Sequence, residues 1–193
     1  MPTAIIMDFE AEGAIEKYEA VMQDMNLGGV LPPGALRHVA GPTDKGLRVV
    51  DVWEDMEAFG RFAAEKIGPI SAKNGVPEPV RQTWEVAFEA DNEGDPAFLH
   101  VVTMPGMDAA TFQALNEQVR AEGALPAGLI WHANGPFEGG IRTVGAWISR
   151  AARDEFLATR IRPAVEAAGV TTQPTIEDLE VHNSMSKVAS ATA

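Results

Sequence analysis

The stretch Leu31-Pro-Pro-Gly-Ala-Leu-Arg-His-Val-Ala-Gly-Pro-Thr-Asp-Lys-Gly-Leu-Arg-Val-Val-Asp-Val-Trp53 returns 94 residues later as Leu125-Pro-Ala-Gly-Leu-Ile-Trp-His-Ala-Asn-Gly-Pro-Phe-Glu-Gly-Gly-Ile-Arg-Thr-Val-Gly-Ala-Trp147. Carried on to Val76, the comparison of 31–76 with 125–170 gives 17 identities in 46 positions without a gap, where composition alone gives roughly three. The chain reads as a tandem duplication.

Working outward from that stretch, each half presents the same elements. Apolar runs of strand length at Thr3 to Phe9 and Ala97 to Met104 precede helical spacing over Gly13 to Asn26 and Asp108 to Glu122, where Tyr18, Val21, Met22 and Met25 match Phe112, Leu115, Asn116 and Val119. A hairpin signal follows, with strands at Ala35 to Ala40 and Leu47 to Trp53, repeated at Leu129 to Asn134 and Ile141 to Trp147. A second helix is expected over Met56 to Ile67 and Arg150 to Ile161, with Asp55 or Ser149 near its N-cap and Pro69 or Pro163 just beyond its end. Closing strands at Thr83 to Phe88 and Asp178 to Asn183 complete βαββαβ twice. That order specifies an α+β fold, a ferredoxin-like antiparallel sheet with two helices on one face, in tandem. The expected boundaries are 1–90 for the first repeat, 91–96 for a linker, 97–185 for the second repeat and 186–193 for a flexible tail. The bare face of each sheet needs a partner, so the two sheets are expected to face each other within one chain, with a ligand cavity between them.

Composition narrows the function classes. Of 193 residues 46% are apolar, enough for a buried core, and the formal net charge is −13. Such a chain lacks the basic face that holds nucleic acid through its phosphates. With no cysteine there are no disulfides, thiolate metal sites or thiol nucleophiles. Asp8 and Glu10 stand where an export signal would be basic and then apolar, and no apolar run approaches the roughly 20 residues that cross a bilayer. The expectation is a cytoplasmic protein with no nucleic-acid or membrane partner, either a monomeric pseudo-dimer or a homodimer. Signatures for dinucleotides, nucleotide phosphates, zinc hydrolysis and the serine elbow are absent. The four histidines, His38, His100, His132 and His182, include no i, i+4 pair, so neither a metal nor another cofactor is expected.

The run Val50-Asp-Val-Trp-Glu-Asp-Met-Glu-Ala-Phe59, followed by Phe62 and repeated more loosely as Val144-Gly-Ala-Trp-Ile-Ser-Arg150, resembles the strand-to-helix signature of dimeric α/β-barrel proteins of the antibiotic-biosynthesis-monooxygenase type. The resemblance spans both repeats and implies an intrachain pseudo-dimer of that barrel. Its superfamily holds cofactor-free quinone-forming monooxygenases, haem-degrading enzymes, polyketide cyclases, muconolactone isomerases and proteins with no assigned reaction. The haem degraders use an asparagine, a tryptophan and a helical histidine, whereas no histidine here falls on a predicted helix.

Candidate site residues come from what the halves share and where they differ. His38 and His132 are matched strand histidines, able either to transfer protons in a cavity or to cap the turns at Gly41-Pro42 and Gly135-Pro136. Trp53 and Trp147 could wall a flat ligand or simply pack the core. Arg48 and Arg142 could hold an oxyanion or pair with an acidic neighbour. At the 94-residue offset His100 replaces Ile6, which places it with Asp8 on the sheet face away from the helices. Trp131 replaces Arg37 and enriches the second half in aromatic groups. The functions these suggest are binding of a small hydrophobic or aromatic molecule between the sheets, with turnover as a cofactor-independent monooxygenase or isomerase, or binding and sensing without turnover. In the first, His100, His132 or His38 moves a proton, Arg142 or Arg48 stabilises an oxyanion, and Asp8, Trp53, Trp131 and Trp147 line the ligand.

Overall fold

The computed structural model describes residues 1–119 and 125–187. The chain divides into two compact units, one of Met1–Glu85 with the segment from Val181, the other of Val86–Glu180. The first contains β1 (Thr3–Glu10), α1 (Ala14–Met25), β2 (Ala35–Thr43), β3 (Gly46–Trp53), α2 (Met56–Phe62), α3 (Gly68–Lys73) and β4 (Val80–Glu85). The second contains β5 (Phe88–Asp91), β6 (Phe98–Pro105), α4 (Ala109–Val119), β7 (Leu129–Phe137), β8 (Gly140–Trp147), α5 (Arg150–Phe156), α6 (Arg162–Ala167) and β9 (Thr175–Glu180). The last strand, β10 (Asn183–Ser186), pairs with β2, so the sheet of unit 1 runs β10-β2-β3-β1-β4 and that of unit 2 runs β5-β7-β8-β6-β9. All pairings are antiparallel. The α+β, ferredoxin-like reading holds for each unit.

In unit 1 the alternation of strand side chains puts Ile5, Met7, Leu47, Val49 and Trp53 into one apolar cluster with Tyr18, Ala58 and Phe59 of the helices. The carboxylate of Asp55 accepts the amide of Ala58 at 2.8 Å, and the hydroxyl of Ser149 accepts that of Ala152 at 3.1 Å, so the expected N-caps form in both units.

Three details differ from the sequence reading. The second helix does not stop before Pro69 or Pro163. A π-helical turn, Ala63–Ile67 in one unit and Leu157–Ile161 in the other, widens the backbone just ahead of the proline, which then opens the next helical segment, where its missing N–H costs little. The closing strand of each half is two strands, β4 then β5, and β9 then β10. The second of each pair adds to the other unit's sheet, so Ala90 and Asp91 lie in a strand against His132 and Trp131, and Ser186 pairs with Arg37. Of the expected flexible tail, 188–193 lie outside the described residues.

The third difference matters most. Thr3 pairs with Trp53, and Phe98 with Trp147, so the first strands correspond at an offset of 95 while the tryptophans correspond at 94. His100 therefore matches Ile5, not Ile6. One residue of register moves a strand side chain to the opposite face, and His100 lies under the helices rather than beside the counterpart of Asp8.

The β2–β3 and β7–β8 hairpins pass close to the first strand of their sheets. A Cβ on Gly46 would fall on the carbonyl oxygen of Phe9, and one on Gly140 on that of Met104. Gly46→Ala and Gly140→Ala are each expected to destabilise the fold by about 3 kcal/mol, read from urea unfolding midpoints.

Candidate functional site

Each unit encloses a cavity between its helices and its sheet. In unit 1 a chain of polar side chains runs along the wall of that space. His38 and Asp51 are cross-strand neighbours on β2 and β3, and Nδ1 of His38 donates to Oδ1 of Asp51 at 2.8 Å. Nε2 is thereby an acceptor, and the hydroxyl of Tyr18 donates to it at 2.7 Å. The amide of Asn183 donates to the same hydroxyl at 2.7 Å, and Nε1 of Trp53 donates to Oδ2 of Asp51 at 3.3 Å. Burial pushes the Tyr18 phenol above its ordinary pKa against the opposing Asn183 bond, with the Asp51 charge adding to the rise. The chain is closed on itself and leaves a cavity of about 90 Å³.

Unit 2 replaces this chain. Phe112 stands for Tyr18 and Gly145 for Asp51, so the phenol and the carboxylate are both gone. A cavity of about 360 Å³ opens, with His100, His132, Trp147, Phe112, Leu115 and Phe156 among its walls. Its volume lies within the range of small-molecule sites. Nε1 of Trp147, deprived of a counterpart to Asp51, is buried without a hydrogen-bond partner among the described residues.

A second group of exchanges surrounds His100. Where unit 1 has the core residues Ile5 and Phe59 and the strand residue Thr83, unit 2 has His100, Arg153 and Asp178. These three meet. Nδ1 of His100 is 2.8 Å from Oδ1 of Asp178, while Arg153 grips both carboxylate oxygens at 3.0 and 2.9 Å and Arg150 adds a bond to Oδ2 at 2.9 Å. Nη1 of Arg153 also lies 2.5 Å from Nδ1. In the tautomer with its proton on Nδ1 the ring donates to the carboxylate, and Nε2 then keeps its lone pair. It is buried with no hydrogen-bond partner among the described residues, in a residue only 5% exposed that lines the cavity. Burial lowers the His100 pKa, the Asp178 bond opposes that shift, and the Arg153 charge reinforces it. Burial alone would raise the Asp178 carboxyl, but the bonds from Arg153 and His100 outweigh it and hold the group below the usual range.

Of the residues expected from sequence, the unit 2 cavity collects His100, His132 and Trp147, and the smaller unit 1 cavity His38 and Trp53. Both ring nitrogens of His38 are taken up by Asp51 and Tyr18, and Nε2 of His132 accepts from the Asn134 amide at 3.0 Å. Asp8 and Arg48 form a two-pronged ion pair at 2.6 and 2.9 Å on the sheet face away from the helices. The buried Arg142 donates to Thr103 at 2.9 Å and lies 3.5 Å over the Phe137 ring; neither it nor the buried Trp131 lines the cavity. Sequence reasoning missed Asp178, Arg153, Asp51 and Tyr18. The signal for the first two was present, because aligning the edge strands at 95 sets His100 on Ile5 and Asp178 on Thr83 together.

No family model and no curated protein sequence matches the chain. Solved structures do. A proposed monooxygenase from Fusobacterium nucleatum superposes with a TM-score of 0.74 at 12% identity, covering 96% of this chain and 94% of that one. Another from Lactobacillus acidophilus gives 0.71 at 12% identity, with 96% of each chain covered. An uncharacterised ferredoxin-fold protein from Listeria monocytogenes, related to antibiotic biosynthesis monooxygenases, gives 0.51 at 5% identity over 94% and 95%. The chain has their fold. The resemblance read from Val50 to Phe59 therefore holds at the level of architecture, over nearly the whole length. No helix among the described residues is long and apolar enough to cross a membrane, and no group of three or more potential ligands there could hold a metal ion.

Because burial lowers its folded pKa below the ordinary imidazole value of 6.5, His100 binds a proton in the unfolded chain before it does in the folded one. Stability is therefore expected to fall as pH drops below 6.5, and to keep falling until the folded His100 is itself protonated. Asp178 adds a second loss at lower pH, as its carboxylate protonates below 3.8. NMR titration of the His100 ring should give a midpoint under 6.5, and His100→Phe should flatten the upper of the two windows in urea unfolding.

Proposed function

We propose that the cavity of unit 2 binds a small apolar or aromatic molecule carrying an acidic hydroxyl, and that His100 removes that proton. The supporting observation is the buried Nε2 of His100, without a hydrogen-bond partner among the described residues, in a ring that Asp178 holds through Nδ1 and that lines a largely apolar cavity. A neutral imidazole held through its other nitrogen by a carboxylate is a general base. The hydroxyl proton passes to Nε2 and leaves an oxyanion. Nε1 of Trp147 is the unpartnered donor in the same cavity and takes the stabilising role that sequence reasoning assigned to arginine.

Such an anion can be protonated at another atom, which is an isomerisation, or oxidised by dioxygen with water as the second product, a cofactor-free monooxygenation. The solved relatives described as monooxygenases favour the second. The cost of the site supports a functional reading over a structural one. An ionic triad that replaces packed apolar side chains is a poor source of stability, and unit 1 folds with the apolar set.

A panel of 2-naphthol, quinols and flavonoids tests the reading. Saturating binding is expected to raise the melting temperature by roughly 5 °C. Gly145→Asp, whose Cβ would fall 2.8 Å from Nε1 of Trp147 and displace the indole into the cavity, should abolish the shift, with the circular dichroism spectrum checked to show that the variant is folded. With a compound that is turned over, His100→Ala should lower kcat about a hundredfold or more, and the acid limb of kcat/KM should lie below pH 6.5. Binding without oxygen uptake or isomerisation would identify a sensing module, and no binding at all would defeat the proposal.

A further inference from the structure

The cavity of unit 2 has one more residue without counterpart in unit 1. Arg162, the first residue of α6, stands where unit 1 has Gly68, and it is exposed while also lining the cavity. The cavity lining thus includes both the buried His100 and the exposed Arg162. Among the described lining residues Arg162 carries the only fixed charge, on a wall that is largely apolar. It has no ion-pair or hydrogen-bond partner among the described residues, in a chain whose net charge is −13 and where acidic partners abound. Arg150 and Arg153, both on α5, are by contrast tied to Asp178.

We infer that the molecule taken by unit 2 is a hydroxylated aromatic carboxylic acid, its hydroxyl meeting His100 and its carboxylate meeting Arg162 at the mouth. This rests on the reading of the cavity given above and adds the second anchor. Guanidinium presents two parallel N–H donors that match a carboxylate. The exchange of Gly68 for Arg162 accompanies the exchanges of Ile5, Asp51 and Tyr18 for His100, Gly145 and Phe112, so the cation occurs in the unit that has the larger cavity. An exposed charge pair is screened by solvent, so it selects among ligands without dominating their affinity.

Two matched probes separate this inference from the reading beneath it. Isothermal titration of 2-naphthol and 6-hydroxy-2-naphthoic acid into the full chain at low salt is expected to show the acid binding about fivefold tighter. Arg162→Gln should erase that difference by weakening the acid more than 2-naphthol, Arg162→Lys should restore part of it, and added salt should narrow it in the wild type. His100→Ala should weaken both probes alike. If 2-naphthol binds but the acid gains nothing, or if Arg162→Gln leaves the gap intact, the carboxylate anchor is overturned and the cavity reading stands. If neither probe binds, the cavity reading itself fails.

Discussion

A histidine in the apolar layer between a sheet and its helices has to be held by charge, and His100 is held by Asp178. The carboxylate in turn depends on Arg153 and Arg150, which neutralise it and fix both its oxygens. Take away Asp178 and a buried arginine loses its counter-ion at the same time as the imidazole loses its orientation. The arrangement on the cavity side follows from this one bond, since a proton shared with Asp178 through Nδ1 is what leaves Nε2 as a bare acceptor.

The two units show opposite solutions to one local problem. Both place a histidine on the second strand and a tryptophan at the end of the third, under the first helix. Unit 1 joins them through Asp51 and Tyr18 into a chain in which every donor meets an acceptor, and little space remains. Unit 2 gives up the carboxylate and the phenol, accepts an unpartnered indole nitrogen, and gains a cavity about four times larger by the ratio of about 360 to about 90 Å³. A buried donor without an acceptor costs on the order of 1–3 kcal/mol. A ligand oxygen arriving at Trp147 or His100 would recover that loss, which links the defect in packing to the binding proposed for it.

Much of the fold was legible because it is written twice. The repeat from Leu31 to Val76, the hairpin glycines and the caps Asp55 and Ser149 all report backbone geometry, and each unit needs the same geometry. What could not be read from that repeat was the course of the closing strands, because β5 and β10 add to sheets built from distant sequence. The site was half legible. His100, His132 and Trp147 stood out as residue types, but a single offset of 94 assigned His100 to the wrong face, since one fewer residue separates strand from helix in the second unit. Arg153 and Asp178 carry no mark in the sequence pattern until the register brings them to His100. Arg48 and Arg142, prominent because they are repeated, serve the opposite sheet face in both units, with Asp8 in one and Thr103 in the other.

The most direct test of the His100 assignment is a crystal structure of the full chain soaked with 2-naphthol. The expected result is the aromatic ring in the cavity of unit 2, its hydroxyl oxygen within hydrogen-bond distance of Nε2 of His100, and the Asp178 contact to Nδ1 retained. An unoccupied unit 2 cavity with naphthol bound elsewhere, or a ring in place whose oxygen avoids His100, would contradict it.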